Sequence, residues 1–198
     1  MALVRTVCVY CGSGFGTNPA FREAAQALGT ALARAGMSLV YGGGDVGLMG
    51  TVARAVLENG GRVTGIIPDF LQARENMLEA VNETIVVPDM HTRKRLMFER
   101  SDAFVTLPGG IGTLEELVEQ LTWAQLGRHR KPVVLVSIAE FWSPLLALFE
   151  HMRGHGFIRE GLDLSYLVAR EAAEVVPMLR EAGHEPDPQA ETIVQQRM

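Results

Sequence analysis

The chain has 198 residues, 47% of them hydrophobic and 21% charged, and a formal net charge of −5. That is enough chain for one domain with a sizeable core and too apolar a composition for a disordered protein. The acidic balance argues against general nucleic-acid binding, and no apolar run approaches the ~20 residues of a membrane helix.

Met1-Ala-Leu-Val-Arg5 leads straight into a predicted strand, Thr6–Tyr10, with no signal-peptide pattern, so a cytoplasmic location is expected. A flexible loop, Cys11–Asn18, follows at the strand's carboxyl end. Pro19 suits a first helical turn, and the helix runs through Phe21 to Ala35 and stops at Gly36. Ser38–Tyr41 is strand two. Gly42-Gly-Gly-Asp-Val-Gly47 leads into a helix from about Leu48 to Leu57, with a stop at Gly60-Gly61. Arg62–Ile67 is strand three, and a less regular region with Arg74 and Glu75 reaches Glu83. Thr84–Val87 is strand four. Asp89 is placed to cap a helix over Met90–Arg100. Asp102–Leu107 is strand five, Pro132–Val136 strand six, Phe141–Met152 a helix, Leu167–Ala169 a short last strand and Glu171–Glu181 a last helix. Residues 1–183 read as one domain. Residues 184–198 are polar, carry two prolines and read as a loose tail.

Continuous Val/Ile/Leu strands alternating with helices predict an α/β fold, a parallel sheet covered on both faces. Right-handed crossovers put every strand's carboxyl end on one rim, where such sheets bind ligands. Four loops share that rim: Gly12–Asn18, Gly42–Gly47, the Glu75 segment and Pro108–Gly112.

The last of these is the centre of the reading. Leu107-Pro-Gly-Gly-Ile-Gly-Thr-Leu-Glu-Glu116 joins strand five to an amphipathic helix marked by Leu114, Leu117, Val118 and Leu121, which continues to about Leu126. Three glycines let the backbone approach a ligand. The unpaired N–H groups of the new helix, with the positive end of its dipole behind them, make a phosphate site. Thr113 adds a hydroxyl. Glu116 lies one turn past Gly112, where it reaches beyond a phosphate towards a sugar; the plainer alternative is a glycine-rich turn with a carboxylate favoured by the dipole.

Other signals divide. Gly42-x-Gly44-x-x-Gly47, with Asp69 further on, matches the dinucleotide fingerprint, but it follows the second strand rather than the first. An NAD site and a loop lying close to a nucleotide substrate both remain open. In His91-x-Arg93-Lys94, Arg93 shares a helix face with Leu96, Met97 and Arg100, so it points inward and wants a carboxylate or phosphate. The two cysteines, Cys8 and Cys11, face opposite sides of a strand, which argues against redox or metal chemistry. His129, His151, His155 and His184 read as surface residues without metal-ligand spacing. Lys131 reads as part of a surface turn before Pro132. With Lys94 it makes up the lysine complement, and neither suits a pyridoxal Schiff base.

Pro108-Gly-Gly-x-Gly-Thr-x-x-Glu116 and Met90-His-x-Arg-Lys94, flanked by Ser101-Asp-Ala-Phe104 and Thr122-Trp-Ala-Gln-Leu-Gly127, resemble the Lonely Guy family of cytokinin-activating phosphoribohydrolases over about residues 6–150. The resemblance implies a Rossmann-like doubly wound parallel sheet, a homodimer, and hydrolysis of the N-glycosidic bond of an N6-modified adenosine 5′-monophosphate, with no metal or organic cofactor. It makes Arg93 and Glu116 the catalytic pair. Substrate contacts would come from Glu75, Lys94, Gly109, Gly110, Ile111, Gly112, Thr113 and Thr122, and from Gly12, Ser13, Gly43 and Gly44 in the first two glycine loops. A non-catalytic nucleotide-binding protein is the main competing class.

Overall fold

A computed structural model describes residues 3–72, 77–159 and 161–183. Glu75 and residues 184–198, on which the sequence placed a substrate contact and a tail, lie outside these described residues.

Each predicted strand is present. In chain order the main elements are β1 (Thr6–Tyr10), α1 (Pro19–Arg34), β2 (Ser38–Tyr41), α2 (Gly47–Glu58), β3 (Val63–Pro68), β4 (Glu83–Val87), α3 (Met90–Glu99), β5 (Ala103–Thr106), α4 (Ile111–Gln125), β6 (Val133–Val136), α5 (Ser143–Gly154), β7 (Leu167–Ala169) and α6 (Ala172–Ala182). Local chemistry explains the helix starts. Asn18 Oδ1 accepts from Ala20 N–H at 3.0 Å, with Pro19 in the first turn of α1. Asp89 caps α3 as expected, its Oδ1 accepting from Thr92 N–H at 2.7 Å.

Among the described residues the strands form one seven-stranded sheet in the order β4-β3-β2-β1-β5-β6-β7, and every pairing is parallel. The chain winds outward from β1 to β4, then returns to the other side of β1 and winds out to β7. The doubly wound arrangement expected from the sequence is therefore the one observed. The central strands β1, β5 and β6 are buried almost throughout, because helices cover both faces; β4 is an exposed edge.

Two apolar cores sandwich the sheet. One joins Val7, Val9 and Val105 to Leu28, Leu32, Val52 and Leu179 from α1, α2 and α6. The other joins Cys8, Tyr10 and Phe104 to Met97, Leu117, Leu121 and Phe149 from α3, α4 and α5. Cys8 and Cys11 belong to different cores, as the strand alternation required. Burial pushes both thiols well above their ordinary range, so neither is a thiolate.

Because β1 sends its chain to α1 on one face and β5 sends its chain to α4 on the other, a crevice opens between their carboxyl ends. This is the switch point at which doubly wound sheets receive ligands.

Two local expectations are corrected. His129 is buried rather than on the surface. Its Nδ1 accepts from Lys131 N–H at 3.1 Å and its Nε2 lies 3.1 Å from Gln120 O. Lys131 is not part of an open turn either: Nζ donates to Phe98 O at 2.6 Å and sits 3.9 Å over the Phe98 ring. Phe98, Phe104 and Trp123 make an aromatic pocket from three separate elements, which gives both side chains an apolar seat.

Candidate active site

The three described glycine-rich loops touch one another at the crevice. Gly12 N–H donates to Pro108 O at 3.1 Å, tying the loop after β1 to the loop after β5. Leu48 N–H donates to Gly12 O at 3.1 Å, which ties in the loop after β2. Gly47, at φ 68°, packs so tightly on Ser13 that a β-carbon would lie 2.3 Å from the Ser13 carbonyl carbon. Gly43 O accepts from Leu78 N–H at 3.3 Å, and Gly44 pairs with Met77 in an antiparallel bridge, so the chain just beyond the Glu75 segment also reaches this rim.

Helix α4 begins at Ile111, inside the motif and one turn earlier than its apolar pattern indicated. Gly110 is the N-cap and no side chain caps the helix; Leu114 N–H, bonded to Gly110 O at 3.0 Å, is closed within the first turn. The N–H groups ahead of it point at the crevice with the dipole behind them. The glycines here differ in purpose. A β-carbon on Gly109 would lie 2.2 Å from Thr113 Oγ1, so that glycine makes room for the buried threonine. A β-carbon on Gly110 or Gly112 would meet nothing within 4 Å, and neither has positive φ. Nothing inside the fold demands glycine at those two positions; the bare backbone faces outward.

Arg93 points inward, as its helix face required, and is 6% exposed. Its Nε donates to Ile66 O and its Nη2 to Gly42 O, each at 3.2 Å, and Nη1 lies 3.8 Å from Met90 Sδ. The acceptors are thus backbone carbonyls at the ends of β3 and β2. These carbonyls are the functional groups that the sequence reading missed. No residue type signals them; only the juxtaposition of β2, β3 and α3 does.

Glu116 is half-buried on the inner side of α4. Its charge is felt at the end of β1: after burial it is the largest influence raising the Cys11 and Cys8 thiols, and it also raises the Tyr10 hydroxyl, after burial and Cys8. Arg93 acts on the same Cys8 thiol with the opposite sign. Arg93 on α3 and Glu116 on α4 thus both lie within electrostatic reach of Cys8 in β1.

Lys94 faces the neighbouring helix. Nζ bonds Glu115 at 2.6 Å and Glu119 at 3.0 Å. Burial lowers this ammonium, but the two carboxylates outweigh it and its pKa is raised. The bridge fixes α3 against α4, and so fixes Arg93 relative to Glu116. Thr122 is not brought to the loops. It stands about 13 Å down α4 from Thr113 by helical rise, is exposed, and donates to Val118 O at 2.7 Å.

Two of the three glycines of the dinucleotide-like pattern have internal explanations: Gly42 abuts Arg93, and Gly47 abuts Ser13. Gly42 and Gly47 need no pyrophosphate to account for them.

A family model described as "Possible lysine decarboxylase" matches residues 49–179. A cytokinin riboside 5′-monophosphate phosphoribohydrolase of Oryza sativa subsp. japonica is 46% identical over 177 residues, 89% of this chain and 73% of that one. One of Arabidopsis thaliana is 45% identical over 183 residues, 92% of this chain and 83% of that one. The chain belongs to the Lonely Guy family. Among solved structures, the molybdenum cofactor carrier protein of Chlamydomonas reinhardtii superposes with a TM-score of 0.67 at 23% identity, over 92% of this chain and 99% of that one. At that identity it speaks for the fold alone. The lysine decarboxylase description of this family finds no support in the lysines: Lys94 is held in ion pairs, and Lys131 is engaged at the opposite rim.

Proposed function

We propose that the protein hydrolyses the N-glycosidic bond of cytokinin riboside 5′-monophosphates, releasing the free base and ribose 5-phosphate. The observation that carries this reading is an uncapped helix N-terminus with Glu116 on its first turns, set beside a buried Arg93 that is bonded to the Gly42 loop and whose helix is tied to α4 through Lys94. The bare backbone of Gly110 and Gly112 and the dipole of α4 hold the 5′-phosphate. The ribose then extends along the first turn of α4 to Glu116. Breaking the C1′–N9 bond leaves positive charge on C1′ and the ring oxygen. The Glu116 carboxylate stabilises that charge and takes a proton from the water that attacks C1′, while the departing base keeps the bond's electrons and takes a proton from solvent, to which Glu116 then returns its own. The Arg93 donors not used by Ile66 and Gly42 orient the carboxylate and ribose. Phosphate binding far from the reacting bond positions that bond, so a nucleoside without phosphate is a poor substrate.

The test is base release from isopentenyladenosine 5′-monophosphate, AMP and isopentenyladenosine side by side. Cleavage of the prenylated monophosphate far ahead of the nucleoside is expected. Equal cleavage of AMP makes this a broader nucleotide hydrolase. Binding of AMP without any base release favours a non-catalytic nucleotide-binding protein.

The working unit in this reading is a cytoplasmic homodimer, with residues 1–183 as its nucleotide-binding domain. Ile111 (82% exposed), Val118 and Leu126 (74% exposed) line one outer stripe of α4, with Thr122 on the same side. Such a stripe on a helix is an association surface, and a second copy covering it would bring Thr122 to an interface. Sedimentation of L126E is expected to show monomers where the wild type shows dimers; an unchanged dimer removes this surface from the proposal. Two unoxidised cysteines in separate cores suit the reducing compartment.

A further inference from the structure

We propose that Gly42 is a positioning residue for Arg93: its missing side chain is the slot in which the guanidinium lies. This rests on the reading of Arg93 given above and deepens it. Gly42 is absent from the positive-φ glycines, so its backbone does not require glycine. Space does. A β-carbon there would stand 2.2 Å from Arg93 Nη2, 3.0 Å from Met49 Sδ and 3.5 Å from Arg93 Cζ. Its neighbour Gly43 contrasts with it, needing glycine for a φ of 87°.

The slot grips one edge of the group. Ile66 O and Gly42 O, at the ends of adjacent strands, accept from Nε and Nη2, the two donors of that edge, while Nη1 lies 3.8 Å from Met90 Sδ. These two bonds fix the plane of the group in both directions, and a guanidinium carries five N–H donors in that plane. The donors left over must therefore point away from the two carbonyls. Neutral acceptors hold the group without neutralising it, so among the described residues the positive charge is delivered to the crevice rather than consumed in an internal ion pair. A methyl on Gly42 moves Nη2, tilts the plane, and turns the remaining donors from the substrate. The phosphate subsite, built on the other side of the crevice from Gly109–Thr113, is untouched.

G42A, R93A and the double variant G42A/R93A decide the matter in the base-release assay. A misplacement of about 1 Å in a catalytic group costs about a hundredfold in rate, so G42A is expected to lose kcat by that order while KM changes less than threefold. Because Gly42 acts through Arg93, G42A/R93A is expected to be no slower than R93A. Multiplicative losses in the double variant, or a rise in KM with kcat intact, overturn the proposal, because Gly42 then meets the substrate itself. Wild-type kcat in G42A overturns it as well, provided R93A is inactive. Full activity in R93A fails the functional reading of Arg93, a separate outcome visible before G42A is made. If G42A does not fold, ethylguanidinium is titrated into R93A, whose slot is intact. Restored turnover supports the slot, and turnover that stays flat overturns it.

Discussion

Two cations enter the same aromatic-rich layer from opposite ends of the sheet, and they are held differently. At the amino-terminal rim Lys131 donates to Phe98 O and lies over the Phe98 ring, with Phe104 beyond it at 5.8 Å. Burial lowers its pKa. Its charge is spent on a carbonyl and ring faces. At the carboxyl-terminal rim Arg93 is more deeply buried, yet two carbonyls grip only part of its donor set, and Gly42 has cleared the ground beside it. A cation held by a carbonyl and ring faces away from the rim where ligands bind is a structural part. A cation gripped from behind, with donors to spare at a ligand-binding rim, is a tool.

The difference is sharpest in paired substitutions. E116Q and R93A are each expected to reduce base release by about 10²–10⁴, the range for a positioned acid–base or charge-stabilising group; thermal unfolding changes little in E116Q, whereas R93A, which strands the Ile66 and Gly42 carbonyls, also unfolds at a lower temperature. Unchanged turnover in E116Q removes Glu116 from the chemistry. K131M keeps the aliphatic stem but loses the carbonyl bond and the ring contact. Unfolding in urea is expected to show a loss of about 1–2 kcal/mol, with kcat unchanged; a K131M enzyme that is stable but slow erases the distinction between the rims.

The gentlest probe is pH. Burial holds the His129 imidazole below its ordinary value of 6.5, and the neutral ring is what accepts from Lys131 N–H. The unfolded chain therefore takes up the proton first. Stability is full above pH 6.5 and falls as pH drops from there through the folded value. H129Q is expected to flatten that acid-side slope; an identical slope in wild type and H129Q means His129 titrates normally.

Much of this arrangement was legible beforehand. The central strands are buried on both faces, so their apolar runs stand out. The Pro108–Glu116 motif names its own location because a helix N-terminus after a buried strand has few other uses. Arg93 was placed inward from the company of Leu96 and Met97. What escaped notice has a common physical cause. The partners of Arg93 are backbone carbonyls of Ile66 and Gly42, and every residue has one. His129 and Lys131 look like turn residues between Gly127 and Pro132, and only the convergence of Phe98, Phe104 and Trp123 gives them a pocket. Strand order is likewise silent in a run of valines, so the neighbourhood of β1 and β5 emerged only from pairing.

The bond between Gly12 N–H and Pro108 O, with those from Leu48 N–H and Leu78 N–H, makes the rim a single knitted surface before any nucleotide arrives. Ordering flexible loops normally subtracts from the free energy of association. Here that cost falls on folding instead. Affinity is set by what the nucleotide itself touches, and the loops after β1, β2 and β5 must change length together or not at all. Diversification within such a scaffold is steered away from these loops and towards side chains facing the base.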